Sequence, residues 1–466
     1  MSHKEQSEFE ELESLLGQFE DAVLHDQIIN FTEEEFEDII HFYLQNNCAQ
    51  KALEASVMAL KRFPFSSEFC LAKADAYLEL GELNNAEDLL INNFKIDKSD
   101  IDYYIILSEV YLLKNDYERA VLVCKEGLEN CGDQTDTLLL HLAEIYDYQG
   151  EYLEMIPLLE KSLLLNPLNE DAYYLYSITM SILERNTERI AFIQGIIDED
   201  PFNVFAWYAL GMSYKDAGLI EKAIESFEYI AAIDETNNDI VSDMAQAYLE
   251  AGQPEKAIEC LKDIEKKGDL NSVDHYTLGH AHYRLNNNYK AKLHFKEALN
   301  YDEIADEAYY NLAIIFFEEN KYSAALPLIQ KALEKNADIA HYLELKADIL
   351  YQLGDLEGSL ETFNKILTQS TKTPYYIHKL AFLYAEKHGL GDAIGIVEQG
   401  IENYDFDVLY FYKAILYFYF GEEVNGLNAF SIGLQKDYDS HSVVFDYLPD
   451  LIQSPKIQLL LSQFEE

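Results

Sequence analysis

A pattern of small and aromatic residues recurs every 34 residues along most of this chain. The segment 204–237 reads VFAWYALGMSYKDAGLIEKAIESFEYIAAIDETN, and stepping by 34 in both directions recovers the same pattern, apart from one step of 35 and one of 33. A fixed period of this length restricts the chain to an array of stacked repeats. The predicted repeats begin at Glu33, Ser67, Ile101, Asp136, Glu170, Val204, Asn238, Ser272, Asp306, Ala340, Pro374 and Asp407.

Three positions of the repeat define its local structure. The eighth residue is small in eleven of the twelve repeats, and the eleventh is Tyr in eight. Gly or Asn at the fifteenth position can adopt the left-handed conformation that ends a helix. Each unit is therefore predicted to be a helix–turn–helix hairpin. The residues predicted to end the first helices are Asn47, Gly81, Asn115, Gly150, Gly218, Gly252, Asn286, Asn320, Gly354 and Gly421.

The repeat resembles the tetratricopeptide repeat (TPR) family over roughly residues 33–440. One repeat carries six residues of the family pattern, which are Trp207, Leu210, Gly211, Tyr214, Ala223 and Phe227. The resemblance implies an all-α fold, a TPR-type solenoid of about twelve hairpins wound into a right-handed superhelix. It also implies a protein-binding scaffold whose concave groove is lined by positions 2, 5, 9 and 12 of each first helix. It does not identify the partner.

The fifth repeat departs from this pattern at its diagnostic positions. It carries Ser177, Met180, Glu184 and Arg189 there, and Arg189 would bury a charge where two helices cross closely. We expect a local shift of register that brings Ala191 into that position. This repeat is also the candidate for a hinge or an irregular loop.

Both ends of the array are expected to be covered, because the terminal hairpins of a repeat array have no neighbour to bury their outer faces. Residues 1–32 are acidic and carry an apolar helical stripe of Leu12, Leu16, Phe19 and Val23, preceded by Phe9. They are predicted to form an N-terminal capping helix, with a detachable partner-binding segment as the alternative. Residues 441–466 are predicted to form a C-terminal capping helix.

The net charge of −51 limits the classes of partner. The first 200 residues hold 42 acidic and 13 basic residues, so this half is the more strongly charged. An acidic field repels nucleic acid and attracts basic proteins. We expect a basic or amphipathic peptide or protein partner. The alternatives are a regulator that mimics nucleic acid to sequester a basic protein, and a charge that serves only solubility.

The groove positions divide into an acidic and an aromatic zone. Tyrosine beside carboxylates suits segments that carry Lys or Arg. The alternative for these tyrosines is that they bridge adjacent repeats. The candidate partner-binding residues are Asp75, Glu109, Glu144, Tyr174, Tyr208, Tyr276, His280, Tyr283 and Tyr310.

The sequence lacks the marks of an enzyme, a metalloprotein or a membrane protein. It contains no phosphate-binding loop, zinc-protease motif or nucleophile elbow, and its five cysteines form no C-x-x-C pair. The N-terminus has no secretory leader pattern. We expect no catalytic residues, metal, cofactor or membrane insertion, and a cytoplasmic location.

Overall fold

The computed structural model describes residues 3–25, 31–92, 96–132, 135–234, 237–301, 304–368, 373–404 and 406–464. All regular secondary structure within these ranges is helical, so the predicted all-α class is confirmed. The chain divides into a first unit, Met1–Ile240, and a second unit, Val241–Glu466.

The helices are mostly 10 to 15 residues long and follow one another through short connections. They are α1 (His3–Leu24), α2 (Glu33–Gln45), α3 (Ala49–Arg62), α4 (Ser67–Glu79), α5 (Leu83–Asn92), α6 (Ile101–Leu113), α7 (Tyr117–Asn130), α8 (Asp136–Gln149), α9 (Tyr152–Leu165), α10 (Glu170–Ile182), α11 (Asn186–Glu199), α12 (Val204–Asp216), α13 (Ile220–Ile233), α14 (Asn238–Glu250), α15 (Pro254–Lys267), α16 (Ser272–Arg284), α17 (Asn288–Ala298), α18 (Ala305–Glu318), α19 (Tyr322–Lys335), α20 (Ala340–Gln352), α21 (Leu356–Thr368), α22 (Pro374–His388), α23 (Leu390–Tyr404), α24 (Leu409–Tyr419), α25 (Glu423–Lys436), α26 (Val443–Tyr447) and α27 (Pro455–Phe464). Two 3₁₀ segments, Asp439–Ser442 and Pro449–Gln453, flank α26.

The even-numbered helices from α2 to α24 are the first helices of the predicted hairpins, and the odd-numbered ones from α3 to α25 are the second helices. Ten of the predicted repeat starts coincide with the first residue of a first helix. The other two, Asp306 and Asp407, lie within two residues of the starts of α18 and α24. The number of repeats and the assignment of the ends as caps stay predictions.

The turns inside the hairpins have the backbone conformation that the sequence predicts. All ten Gly and Asn residues predicted to end the first helices have positive φ angles, between 54° and 82°. In the fifth hairpin Glu184 takes this conformation, with φ at 55°. A residue with a Cβ is strained there by roughly 1–2 kcal/mol, and Glu lacks the short polar side chain that helps Asn.

Small residues at the eighth position let each first helix approach its second helix closely. A Cβ atom added at Gly211 would lie 2.5 Å from Cε1 of Phe227, and one at Gly279 would lie 2.6 Å from Cε1 of Phe295. Both phenylalanines are fully buried. In two other hairpins Ala143 and Ala245 occupy this position. Those two hairpins have Leu at the position that Phe227 and Phe295 occupy in the hairpins with Gly. Ala347 with Phe363 and Ala414 with Phe430 combine Ala and Phe at these positions, so the close Gly–Phe contact belongs to the Gly211 and Gly279 hairpins and is not a rule of the array.

This pairing predicts the effect of Gly211→Ala. Overpacking a full core costs about 1–3 kcal/mol, and the better helix propensity of Ala returns up to about 1 kcal/mol. We expect a net loss of about 1 kcal/mol in the free energy of unfolding, measured by urea denaturation followed through Trp207 fluorescence. Adding Phe227→Leu should recover part of that loss. A double variant that is less stable than the two single changes combined would contradict this pairing.

Arg189 of the fifth hairpin contradicts the predicted shift of register. Its side chain is 1% exposed, while Ala191 is exposed, so Arg189 itself occupies the helix crossing. Its Nη2 donates to Asp216 Oδ2 at 2.8 Å and its Nη1 donates to the Ser177 carbonyl at 3.0 Å. The charge is buried because Asp216 of α12 compensates it, and α10 and α11 keep regular bounds.

The chain ends pack against the neighbouring hairpins. Phe19 of α1 is 1% exposed and contacts the ring of Tyr43. Thr32 and Glu35 form the reciprocal hydrogen bonds of a capping box at the start of α2. At the other end α27 contacts α25 and buries Ile457. The side chain of Phe9, part of the predicted stripe, lies outside the described residues.

Candidate functional site

An acidic cavity of about 690 Å³ lies along α2, α4 and α6 in the first unit. We call it the acidic cavity. Its lining is supplied largely by the second, fifth and ninth positions of the three first helices, the positions predicted to form the groove. No Lys or Arg is among the described residues that line it. Its carboxylates are those of Glu37, Asp38, Glu68, Asp75, Asp100, Asp102 and Glu109.

Asp75 lies at the centre of this charge. Burial, together with the negative charges of Glu79, Glu109 and Asp102, raises the pKa of its carboxyl to about 6. Burial also raises the pKa of Glu109 and of Asp102. In the part of the chain that the structure describes, neither Asp75 nor Glu109 forms an ion pair with Lys or Arg. A cation in this cavity would relieve both the crowding and the desolvation of these carboxylates.

Glu144 of α8 continues the acidic face beyond the cavity. Its Oε2 lies 3.3 Å from Nδ1 of His141, and Nε2 of His141 lies 2.9 Å from the Ser108 hydroxyl. The charge of Glu144 contributes to the raised pKa of Glu109, while His141 opposes it. The predicted residues Asp75, Glu109 and Glu144 therefore interact electrostatically along neighbouring first helices.

Tyr174 and Tyr208 are the exposed members of the predicted tyrosine set, with 69% and 41% of their surface accessible. Both line a second cavity of about 310 Å³ between α10 and α12, also in the first unit. We call it the apolar cavity, because Ile178, Phe205 and Met212 supply much of its wall. These two tyrosines offer ring surface to a ligand.

The other candidates belong to the second unit and contact neighbouring helices. The Tyr283 hydroxyl donates to Glu318 at 2.5 Å, and the Tyr276 hydroxyl accepts from Asn311 at 3.3 Å. Tyr310 packs on Tyr342 with ring centroids 4.7 Å apart. Through these contacts the three tyrosines bridge adjacent repeats, which is the role that the sequence analysis gave as the alternative to binding a partner.

His280 packs edge-on against the ring of Tyr276, with centroids 4.6 Å apart. Burial lowers the pKa of its imidazole to about 4, and the positive charge of Arg284 adds to the effect. His280 is therefore neutral near pH 7.

Comparison with known families agrees with the hairpin geometry. Residues 138–173, 214–273, 276–335 and 316–375 match family models described as tetratricopeptide repeat. The chain is a tetratricopeptide repeat protein. TPR arrays generally mediate protein–protein binding.

Two relatives of this TPR protein carry the same repeat in their names. A TPR repeat-containing protein of Methanocaldococcus jannaschii is 24% identical over 78% of this chain, which spans 55% of that relative's length. The TPR repeat-containing protein YpiA of Bacillus subtilis is 24% identical over 81% of each chain. A crystal structure of a TPR protein from Parabacteroides merdae is 13% identical, with a TM-score of 0.42 over 54% of this chain and 99% of that one.

The structure adds groove residues of this TPR protein that were not among the sequence candidates. Glu37, Glu68 and Asp102 line the acidic cavity beside Asp75. Glu68 and Asp102 occupy the second position of their repeats, which the family resemblance assigns to the groove. Glu68 and Asp102 could therefore have been predicted from the sequence if the second position had been considered together with the fifth and ninth.

No group of three or more His, Cys, Asp or Glu side chains within the described ranges is arranged to hold a metal ion. No described helix has the length and apolarity needed to cross a bilayer.

Proposed function

We propose that this TPR protein is a scaffold that binds a basic or amphipathic segment of a partner protein along the groove face of its first helices. The acidic cavity carries the proposal. It places seven carboxylates around about 690 Å³, with no Lys or Arg among its described lining residues. Such a cavity favours Lys- or Arg-bearing segments through charge complementarity and faster encounter.

The raised pKa of Asp75 supports this proposal physically. Burial and, to a smaller extent, its acidic neighbours raise the pKa of this carboxyl to about 6, so a fraction of it is protonated just below neutral pH. A bound ammonium or guanidinium group lowers that pKa, so binding of a cation releases a proton. Affinity for a basic segment should therefore rise as the pH increases from 5 to 7.

The test uses the full chain and a fluorescein-labelled peptide of alternating Lys and Ala, followed by fluorescence anisotropy. We expect Asp75→Asn combined with Glu109→Gln to weaken binding at least tenfold, because both carboxylates face the cation in the cavity. Binding should also weaken steeply with added salt.

A matched control separates the cavity from the overall charge. Glu126→Gln combined with Glu129→Gln changes the net charge by the same amount, at two exposed positions on α7 that do not line the cavity. This variant should bind the peptide almost as the native chain does. Equal weakening by the two double variants would show a diffuse field and overturn the proposed groove.

The scaffold role that we propose involves no catalysis and is placed in the cytoplasm. None of the five cysteines, all of which lie within the described residues, forms a disulfide, and Cys70, Cys124 and Cys131 are buried. Burial raises the pKa of Cys124 to about 11, which leaves an unreactive thiol. Free cysteines suit a reducing compartment.

A further inference from the structure

The outer face of α2, which is the face turned away from the next hairpin, differs from the same face of the following first helices. α4 contacts both helices of the preceding hairpin, α2 and α3, and α6 likewise contacts α4 and α5. Phe69, for example, packs on Phe36 and Phe63 of the preceding hairpin, with ring centroids 6.1 and 5.9 Å apart. The residues at the third and tenth positions of α4, α6 and α8 are all buried, and they are Phe69, Ala76, Tyr103, Val110, Leu138 and Ile145.

In α2 the same two positions hold Glu35 and Phe42, which are only half-buried. Asp38 and Gln45, at the sixth and thirteenth positions, are exposed. Within the described residues, a single helix, α1, lies before α2 in the chain. The stripe of α2 formed by these four residues is therefore left partly open, where the inner hairpins bury the corresponding positions.

The helix α1 covers this stripe only in part. Phe19 and Ala22, both 1% exposed, fix its second half against the first hairpin. Glu20 adds to this anchor, because it accepts from the Tyr43 hydroxyl at 3.0 Å and pairs with Lys51 at 2.5 Å. Nearer its N-terminus, α1 and α2 border a cavity of about 630 Å³, which we call the α1–α2 cleft.

The α1–α2 cleft presents apolar and acidic side chains together. Leu12, Leu15 and Phe42 are half-buried in its wall, and Glu35 and Asp38 add two carboxylates. No Lys or Arg is among its described lining residues. Asp38 also lines the acidic cavity, as does His41, so the two cavities adjoin. A segment bound in the acidic cavity therefore has a continuous path into the cleft.

We infer that the α1–α2 cleft binds the apolar face of an amphipathic helix of the partner, in the place that a preceding hairpin occupies against the inner first helices. The apolar side chains of that helix pack on Leu12, Leu15 and Phe42, and its basic side chains lie beside Asp38 and the acidic cavity. A volume of about 630 Å³ lies within the range of ligand pockets and admits several side chains. The inference rests on the proposed function, to which it adds α1 as a second wall of the site.

A peptide with one apolar face tests the cleft. The probe is a fluorescein-labelled peptide of Lys and Leu, about 18 residues or five helical turns long, with its leucines on one helix face. We expect the full chain to bind it at least tenfold more tightly than the Lys–Ala peptide, because its leucines bury apolar surface in the cleft. A peptide of the same composition with the leucines scattered around the helix should lose most of this gain. Equal binding of the ordered and scattered peptides would contradict the inference.

Two matched variants locate the gain in the cleft. Leu12→Gln combined with Leu15→Gln makes its wall polar with a good helix former. This variant should bind the Lys–Leu peptide at least tenfold more weakly than the native chain does, and the Lys–Ala peptide equally well. The control, Val23→Gln combined with Leu24→Gln, makes the same kind of change at exposed residues of α1 outside the cleft and should bind both peptides normally.

Cross-linking on the native chain gives a second measurement that does not depend on how the variants fold. A Lys–Leu peptide with benzoylphenylalanine in place of one leucine should attach to residues 12–18 of α1 or 35–45 of α2. Cross-links confined to other helices, or unchanged Lys–Leu binding by the Leu12 and Leu15 variant, would overturn the inference and leave the proposed function standing. Native binding of both peptides by Asp75→Asn with Glu109→Gln would instead contradict the proposed function.

Discussion

Replacing Asp216 with Ala is expected to lower the free energy of unfolding of the first unit by about 3 kcal/mol. The change leaves the guanidinium of Arg189 buried without a counter-charge, and breaking a buried pair in this way costs about 3–5 kcal/mol. We expect the lower end of that range because the Asp216 side chain is 41% exposed. Urea denaturation followed through Trp207, the single tryptophan of the chain and a residue of the same unit, measures the change.

Adding Arg189→Met to Asp216→Ala provides the control. Met keeps an extended side chain at the crossing and removes the unpaired charge, so the double variant should recover most of the lost stability. If Asp216→Ala costs less than about 1 kcal/mol, or if Arg189→Met gives no recovery, the ion pair is not what keeps Arg189 buried.

Acidification from pH 7 to pH 5 is expected to destabilise the second unit. His282 and His294 are buried with stacked rings 5.6 Å apart, and His275 Nδ1 lies 3.2 Å from His294 Nδ1. Burial lowers the pKa of His294 to about 4, with smaller contributions from His275, His282 and Lys290. The unfolded chain binds a proton near pH 6.5, so stability is complete above that pH and is lost as the pH falls towards 4.

His294 alone should account for about 1–2 kcal/mol at pH 5, after an allowance for solvent screening. Circular dichroism during urea denaturation at several pH values measures the second unit together with the first. His294→Phe combined with His282→Tyr removes two of the three titrating rings of this cluster, and the pH dependence of the second unit should become shallower. An unchanged slope in that variant would contradict the assignment to this cluster.

In the first unit, the stability contributed by Asp75 changes with pH in the opposite direction to that contributed by the histidines of the second unit. Its pKa is raised to about 6, so the folded state binds the additional proton and this contribution increases stability as the pH falls through 6. Trp207 fluorescence should therefore report less acid destabilisation than circular dichroism does. The two signals distinguish the histidine cluster from a general effect of net charge.

The hairpins were predictable because their geometry depends on local positions that recur. A residue that takes positive φ or allows close helix contact is Gly, Asn or another small type in most of the repeats, as at Gly218 and Gly211. Because each position occurs once in every one of the twelve predicted repeats, its preferred residue type is evident even where a single repeat departs from the pattern. Arg189 was mispredicted because its counter-charge, Asp216, is 27 residues away on another hairpin. A rule for single positions contains no information on that pairing.

The acidic residues of the candidate site were also predictable from their position in the repeat. Whether a tyrosine is exposed or packs on the next hairpin, in contrast, depends on its neighbours. Exposure at the fifth position depends on which residue the next hairpin presents. Tyr310 meets the ring of Tyr342, while Tyr174 keeps 69% of its surface accessible. Such contacts join residues of different repeats, so the period alone could not separate a bridging tyrosine from one available to a ligand.

The fifth hairpin affects where unfolding of the array begins. In a chain of hairpins that contact only their neighbours, stability is a sum of local terms rather than one global quantity. Glu184 in a left-handed turn and Arg189 at the helix crossing weaken two of those terms within one hairpin. Unfolding can therefore begin inside the first unit as well as at its ends. We therefore expect the fifth hairpin, in addition to the number of repeats, to limit the length over which the array unfolds cooperatively.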